Sequence, residues 1–418
     1  MEQPMYSIKF NNIQQDLALF KLAQRGAATT KDNMSIKSAP VIVIGGGIVG
    51  ASITWHLAKE KNVIIIAEAV GGVATPNSFC WLNATATTEK YCYDGEILLR
   101  RRNIATTEKY YYDFRRCSMA RWEEICKELP DLPIYRGGTL TCDGTPDERA
   151  EFYELHSTCC TKVRRMSQAA LASLEPEIDN AQFSSVEWGL HTLEEGTIEA
   201  HIAAAQLIAH AELLGAQVVK TSVVGLLKHR NGRVSGVLTG CGKTYGSHVA
   251  LAACIGSVPL LATENIKLPL NSSEGLLIST TPTKKRYLNT LVRLPELHIR
   301  QAFDSRICFG ASFAGVKPGH DPRATAEELF KQVQKVFKSG SELEFGSYTI
   351  GVWPDPEDGY PILGSTGLDD LDVAVMHSGV TNAALVGELL SKKILHGIND
   401  PMLDHFRLDR FKKTYAKL

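Results

Sequence analysis

Residues 41–52 read VIVIGGGIVGAS. The apolar run from Val41 to Ile44 reads as a strand. Gly45, Gly47 and Gly50 follow with the spacing G-x-G-x-x-G, and small residues then continue as a helix. In that spacing Gly45 permits the tight turn, Gly47 lets the backbone approach a pyrophosphate, and Gly50 lets helix and strand pack closely. The helix N-terminus offers N–H groups and a positive dipole end to the phosphates. Ile48 and Val49 belong to the same turn and are assigned to the same ligand.

Working outward, residues 62–69, NVIIIAEA, form the next strand and complete a βαβ start of about 30 residues. Glu68 closes that strand about 20 residues beyond the glycines, where an acid accepts hydrogen bonds from the adenosine ribose. An acid there disfavours a ribose phosphate, so NADP is set aside. A second glycine turn separates NAD from FAD. Residues 358–390 hold an apolar strand, then His377-Ser378-Gly379-Val380-Thr381, then a small-residue helix. A second helix N-terminus is not expected of a simple NAD dehydrogenase. It suits a flavin, because its N–H groups stabilise negative charge on the reduced ring. The expected cofactor is FAD.

A chain of 418 residues is too long for one ordinary core and implies two domains. With Lys+Arg 45 against Asp+Glu 46, no global field favours nucleic acid or an acidic membrane. No apolar run reaches the roughly 18 residues of a membrane span. Ten cysteines at irregular spacings, with no signal peptide, imply reduced thiols. The vicinal pair Cys159-Cys160 reads either as a redox device or as two ordinary thiols. No zinc spacing occurs. Residues 1–38 form an N-terminal extension, read either as a transit peptide or as a disordered segment, with Met34 as an alternative start.

Between the two glycine turns, helical patterning covers roughly 105–128, and Tyr110–Leu129 mixes aromatic, basic and apolar positions. GGTLTC at 137–142 reads as a short strand, and 199–214 as a helix stopped by Gly215. RNGR at 230–233 marks a hairpin between two short strands, and HVALAACIGS at 248–257 is a further apolar strand. ATTEKYCYD at 86–94 recurs as ATTEKYYYD at 105–113. With no third copy this is a local duplication, adding a loop or an extra helical stretch.

Jointly these motifs resemble the D-amino acid oxidase-like family of FAD-dependent oxidoreductases, over roughly 39–411. That family includes glycine, sarcosine and other secondary-amine oxidases and D-amino acid dehydrogenases. GGVATPNSFCWLNA at 71–84 stands in the place of its second flavin-contacting loop, which assigns Ala74, Thr75 and Ser78 to FAD. GAQVVKTSVVGL at 215–226 matches the strand whose valine, here Val223, meets the adenine. EGLLISTTP at 274–282 begins the substrate-side sheet, and Gly379, Val380 and Thr381 close the flavin site. The resemblance implies an α/β fold. A Rossmann-like FAD-binding domain (39–120, 196–262, 355–411) interleaves with an α+β substrate domain (121–195, 263–354) containing an antiparallel sheet. A tail, 412–418, follows.

Three departures bear on the substrate. Family members often carry an arginine in G-x-R-P that grips a carboxylate, whereas Gly351-Val352-Trp353-Pro354 has Trp353 there. An amine without a carboxylate, or a carboxylate held elsewhere, is then implied; Arg300 is the nearest replacement, or else a surface arginine. Cys254 stands where the family usually has glycine in a turn at the FAD. The duplication at 86–113 follows a flavin-contacting loop and either reshapes the entrance or displaces nothing.

The chemistry that the resemblance implies is oxidation of a C–N bond of a D-amino acid or a secondary or cyclic amine by hydride transfer to FAD. Oxygen is the expected acceptor, with release of hydrogen peroxide. His377, His298, Arg300, Trp353 and Tyr360 are the pocket candidates. Trp353 and Tyr360 form either an apolar cage around the amine or part of the core. His377 is either a base or hydrogen-bond donor beside the flavin loop, or structural. Ala416-Lys417-Leu418 is a close variant of the S-K-L peroxisomal address. It implies an import receptor as partner and a compartment that destroys peroxide, with the cytoplasm as alternative. Two further functions stay open: tailoring of an amine inside a larger metabolite, and flavin binding with an impaired site.

Overall fold

The computed structural model describes residues 39–84, 104–158, 161–310 and 318–412. The N-terminal extension, the first copy of the duplication, Cys159-Cys160 and Ala416-Lys417-Leu418 lie outside the described residues.

Strand β1 (Val41–Ile44) is buried at every position and sits inside a six-stranded sheet. Across the sheet the order is Ile362–Ser365, Leu371–Val375, His248–Leu251, β1, β2 (Val63–Ile66), Gln217–Val219. All neighbours run parallel except the edge strand Ile362–Ser365. Burial on both faces explains the unbroken Val/Ile runs that replace polar alternation. Helix α1 (Ile48–Ala58) leaves the end of β1 and is buried nearly all round. It packs against helix α3 (Ala200–Leu213) and helix α4 (Gly379–His396). Small residues make that approach possible: a Cβ on Gly387 would stand 2.1 Å from Ser52 Oγ. Helix α2 (Ile104–Glu128), which carries the second copy of the duplication, lies along α4 and adds Phe114 and Trp122 to this core. Each such large side chain contributes about 1.5–3 kcal/mol on burial.

An eight-stranded sheet forms the second layer system. Its longest members, β3 (Leu270–Thr280) and β5 (Phe345–Pro356), pair antiparallel over their full length, from Leu270 opposite Pro356 to Thr280 opposite Phe345. β4 (Leu297–Gln301) lies further in. One pair, Leu291–Leu294 with Thr139–Thr141, is parallel in an otherwise antiparallel sheet. Its core gathers Ile278, Ile299, Phe309, Leu329 and Phe337. The expected short strand at 137–142 therefore becomes a member of this sheet. The hairpin expected at RNGR joins Val223–Lys228 to Val234–Thr239, with Gly232 at φ +88°. The helix expected at 199–214 forms and is followed by Gly215 at φ +104°, a value that suits glycine. Among the described residues, no helix is long and apolar enough to cross a membrane.

Candidate active site

The glycine turn is pressed against the neighbouring strand. Gly45 has φ +115°, and a Cβ there would lie 2.2 Å from the Ala252 carbonyl oxygen. A Cβ on Gly50 would lie 2.0 Å from the Gly45 carbonyl oxygen, so α1 can start so close to β1 only with glycine. Gly50 itself sits behind the turn; Gly45 and Gly47 reach the cavity wall. Residues 71–78 fold over the same turn. Ile48 N donates to Thr75 Oγ1 at 3.2 Å, and a Cβ on Gly72 would come within 2.6 Å of Gly47 Cα.

Two adjoining cavities make one groove. The first, about 470 Å³, is lined by Gly45, Gly47, Glu68, Ala74, Thr75 and Val223 among others. Glu68 is exposed just beyond β2 and accepts from Ser222 Oγ at 2.6 Å. The second cavity, about 210 Å³, is walled by Ile48, Val49, Ser78, Trp81, Trp353, His377 and the first turn of α4, Gly379 to Thr381. Gly47, Ala74, Thr75, Asn77, Ala252 and Cys254 line both. The two glycine turns meet directly: a Cβ on Gly379 would stand 3.2 Å from Val49 Cγ2.

Several backbone positions along this groove take left-handed conformations that side chains disfavour. Ser378, just before α4, has φ 52°, and its Oγ lies 3.1 Å from His377 Nδ1. Cys254, at the junction of the two cavities, has φ 56°. That φ explains why glycine would be the ordinary residue there. Burial pushes the Cys254 thiol pKa up.

The groove fits FAD chemically. It is continuous, two helix N-termini face it, and Glu68 is the one carboxylate on its described walls, at the end where a ribose is expected. Phosphates bound there would meet N–H groups with no acid beside them. The residues that would hold the cofactor are Gly45, Gly47, Ile48, Val49, Glu68, Ala74, Thr75, Ser78, Val223 and Gly379–Thr381. Thr381 is fixed by donating to the Trp81 carbonyl at 3.2 Å and accepting from Asn83 N at 3.3 Å.

A family model for FAD-dependent oxidoreductases matches residues 40–393. The chain belongs to that family. FAD is its cofactor, and it is an FAD-dependent amine or amino-acid oxidoreductase. It is 23% identical over 400 residues to the β subunit of sarcosine oxidase from Rhizobium meliloti, covering 90% of this chain and 89% of that one. It is 23% identical over 389 residues to glycine oxidase from Bacillus subtilis, covering 88% and 96%. Among solved structures, L-proline dehydrogenase from P. horikoshii superposes with a TM-score of 0.74 at 21% identity, covering 90% of this chain and 99% of that one. The interleaved α/β fold expected from the motifs is the fold of this family.

The substrate-side candidates divide. Trp353, on β5, lines the second cavity and meets the His377 ring edge-on at 6.3 Å. Arg300, on β4, is no open cation. Its Nη1 and Nη2 donate to the Glu199 carboxylate at 2.6 and 3.4 Å, and the residue is buried and does not line the groove. His298, two residues earlier on the same face of β4, is also buried; its Nε2 lies 3.6 Å from Asp143 Oδ2. Burial lowers the His298 pKa despite the hydrogen bond to Asp143. Tyr360 packs in the first core with its ring edge-on to Tyr111 at 5.5 Å, and does not line the cavity. None of these three lines the groove, and each polar or aromatic group meets a partner inside the fold.

Sequence reading missed Phe79, Trp81, Asn83, Arg115 and Met376, which share the cavity wall. For Arg115 a signal existed. Tyr111, Arg115, Ser118 and Trp122 fall at helical spacing within the patterned stretch 105–128 and so share one face.

Proposed function

We propose that the protein oxidises a C–N bond of a small D-amino acid or secondary or cyclic amine, and that oxygen reoxidises it with release of hydrogen peroxide. The observation that carries this reading is the second cavity itself. It abuts the α4 N-terminus, and Phe79, Trp81, Trp353 and Met376 wall it beside the residues that would hold FAD. Those apolar walls exclude water from the reacting carbon. FAD supplies the hydride acceptor when bound. Trp353 and Trp81 orient the substrate by surface contact. His377, at the cavity wall with its Nδ1 near Ser378, holds or moves the proton of the substrate amine.

The three relatives named above support the small-amine part of this reading, since sarcosine, glycine and L-proline are all small amino acids and two are secondary amines. Peroxide release accords with reading Ala416-Lys417-Leu418 as a peroxisomal address. A fluorescent fusion with and without those three residues tests that part.

The central experiment is an anaerobic panel of D-amino acids, N-methyl amino acids and cyclic amines. The expected result is loss of visible flavin absorbance with at least one of them, then recovery in air with stoichiometric peroxide. Bound flavin that no amine bleaches would sink the proposal.

A further inference from the structure

Arg115 stands in the wall of the second cavity and meets no carboxylate among the described residues. Among the described residues that line this cavity there is no Asp, Glu or Lys, and the other basic side chain is His377. Arg115 is itself buried at 8% exposure. Its Nε donates to the Asn83 carbonyl at 3.1 Å and its Nη2 donates to Asn83 Oδ1. Both acceptors are neutral, and among the described residues no carboxylate pairs with it. Arg300, by contrast, has Glu199, and Arg293 has Asp143.

The position of this guanidinium is built. Ser118 Oγ donates to the Thr381 carbonyl at 2.7 Å, and Trp122 Nε1 donates to the Val380 carbonyl at 3.1 Å. One face of α2 is thereby pinned to the first turn of α4. Asn83 N donates to Thr381 Oγ1 at 3.3 Å, so the residue that clamps Arg115 is fixed to the same turn. The Tyr111 ring lies beneath the guanidinium at 5.5 Å. A planar fork held this way keeps its remaining N–H groups in a fixed direction, the geometry that suits a carboxylate. A buried cation that meets only neutral acceptors is costly until an anion completes it. The adjacent α4 N-terminus favours the same sign of ligand.

We propose that Arg115 receives the carboxylate of an amino-acid substrate. The assignment rests on the oxidase reading above and narrows it to amines that carry a carboxylate, held from helix α2 and not from β5, where Trp353 stands.

The test uses the FAD-loaded full chain. Acetate and benzoate are titrated in, with acetamide and benzamide as neutral controls, and perturbation of the flavin's visible spectrum is followed. Wild type should bind the acids about tenfold or more tightly than the amides. R115Q should lose about tenfold or more in affinity for the acids, with the amides changed less than about threefold. Asn83→Ala frees the guanidinium without removing it, and covers the case in which R115Q fails to retain FAD. It should weaken the acids about three- to tenfold. Wild type that binds acids no better than amides overturns the proposal, as does unchanged acid affinity in the folded variants. R115Q that keeps acid affinity but shifts the flavin reduction potential also overturns it, by assigning the cation to the flavin. Wild type that holds no FAD, or that no amine bleaches, would instead sink the oxidase reading.

Discussion

Glu199 accepts both terminal nitrogens of Arg300, at 2.6 and 3.4 Å, across the join between the strand Gly196–Ile198 and β4. Both side chains are nearly inaccessible, at 8% and 4%. Burial opposes ionisation of Glu199, yet the Arg300 charge and hydrogen bonds outweigh it and hold the carboxyl below its usual range. Glu199 Oε1 also accepts from Phe303 N at 3.3 Å. Removing one partner strands the other charge in the interior, which costs about 3–5 kcal/mol. Arg300→Met should therefore shift the urea midpoint strongly downward. Adding Glu199→Leu to it should restore most of the loss. Carboxylate affinity should stay unchanged in whichever variant folds. A folded Arg300→Met with normal stability and tenfold weaker carboxylate binding would return Arg300 to the substrate.

The glycine turn has no room for a methyl group. Gly45→Ala places a Cβ 2.2 Å from a backbone oxygen, in a φ that alanine avoids. Backbone atoms cannot yield as a side-chain tip can, so the loop must move away from the phosphate position. Purified Gly45→Ala protein should emerge with less than about a tenth of the flavin of wild type, since 1.4 kcal/mol already costs tenfold in affinity. Gly359→Ala, at φ +77° with open space around it, is the control for backbone strain alone. It should destabilise modestly and keep its FAD. Equal flavin content in Gly45→Ala and wild type would contradict the assignment.

The cofactor half of the groove was legible because backbone geometry demands particular residues. Gly45 and Gly50 are fixed by contacts shorter than any Cβ tolerates, and Glu68 by its place at a strand end. The substrate half was not. Arg300 and Arg115 are both arginines in apolar surroundings, and only three-dimensional pairing tells them apart: Glu199 meets the first, Asn83 the second. The two acceptors lie 101 and 32 residues from their donors. No local pattern encodes such a choice. His298 and Tyr360 stand off the cavity wall, since proximity in sequence to a site strand does not set which face a side chain occupies.

Cys254 offers a chemical probe of the junction between the two cavities. Its thiol is half-buried and its pKa is raised by that burial. Since the thiolate is the reacting form, alkylation by iodoacetamide should be slower than at exposed Cys241 and should go on rising with pH beyond about pH 9. Because Cys254 lines both halves of the groove, bound FAD should slow its labelling at least about tenfold. Peptide mass spectrometry of apo and FAD-loaded protein reads both effects site by site. Labelling that FAD leaves untouched would place the cofactor elsewhere.

Glu175 should make stability fall as pH rises. Its carboxyl is fully buried and accepts from Thr290 Oγ1 at 2.6 Å and from Asn289 N at 2.9 Å. Burial raises its pKa from 4.5 to about 7, more than these bonds lower it. Between those values the folded state holds a proton that the unfolded chain has released. Stability contributed by this group is then complete below the unfolded pKa and is lost as pH climbs through the folded one. At about 1.4 kcal/mol per unit the loss is bounded near 3.5 kcal/mol. Glu175→Gln resembles the protonated acid and titrates nowhere in this range. Its urea-unfolding free energy should be flatter than wild type between roughly pH 5 and pH 7.5, the wild-type curve falling relative to it as pH rises. Parallel curves would show that Glu175 ionises at its ordinary pKa, with water reaching it inside the fold.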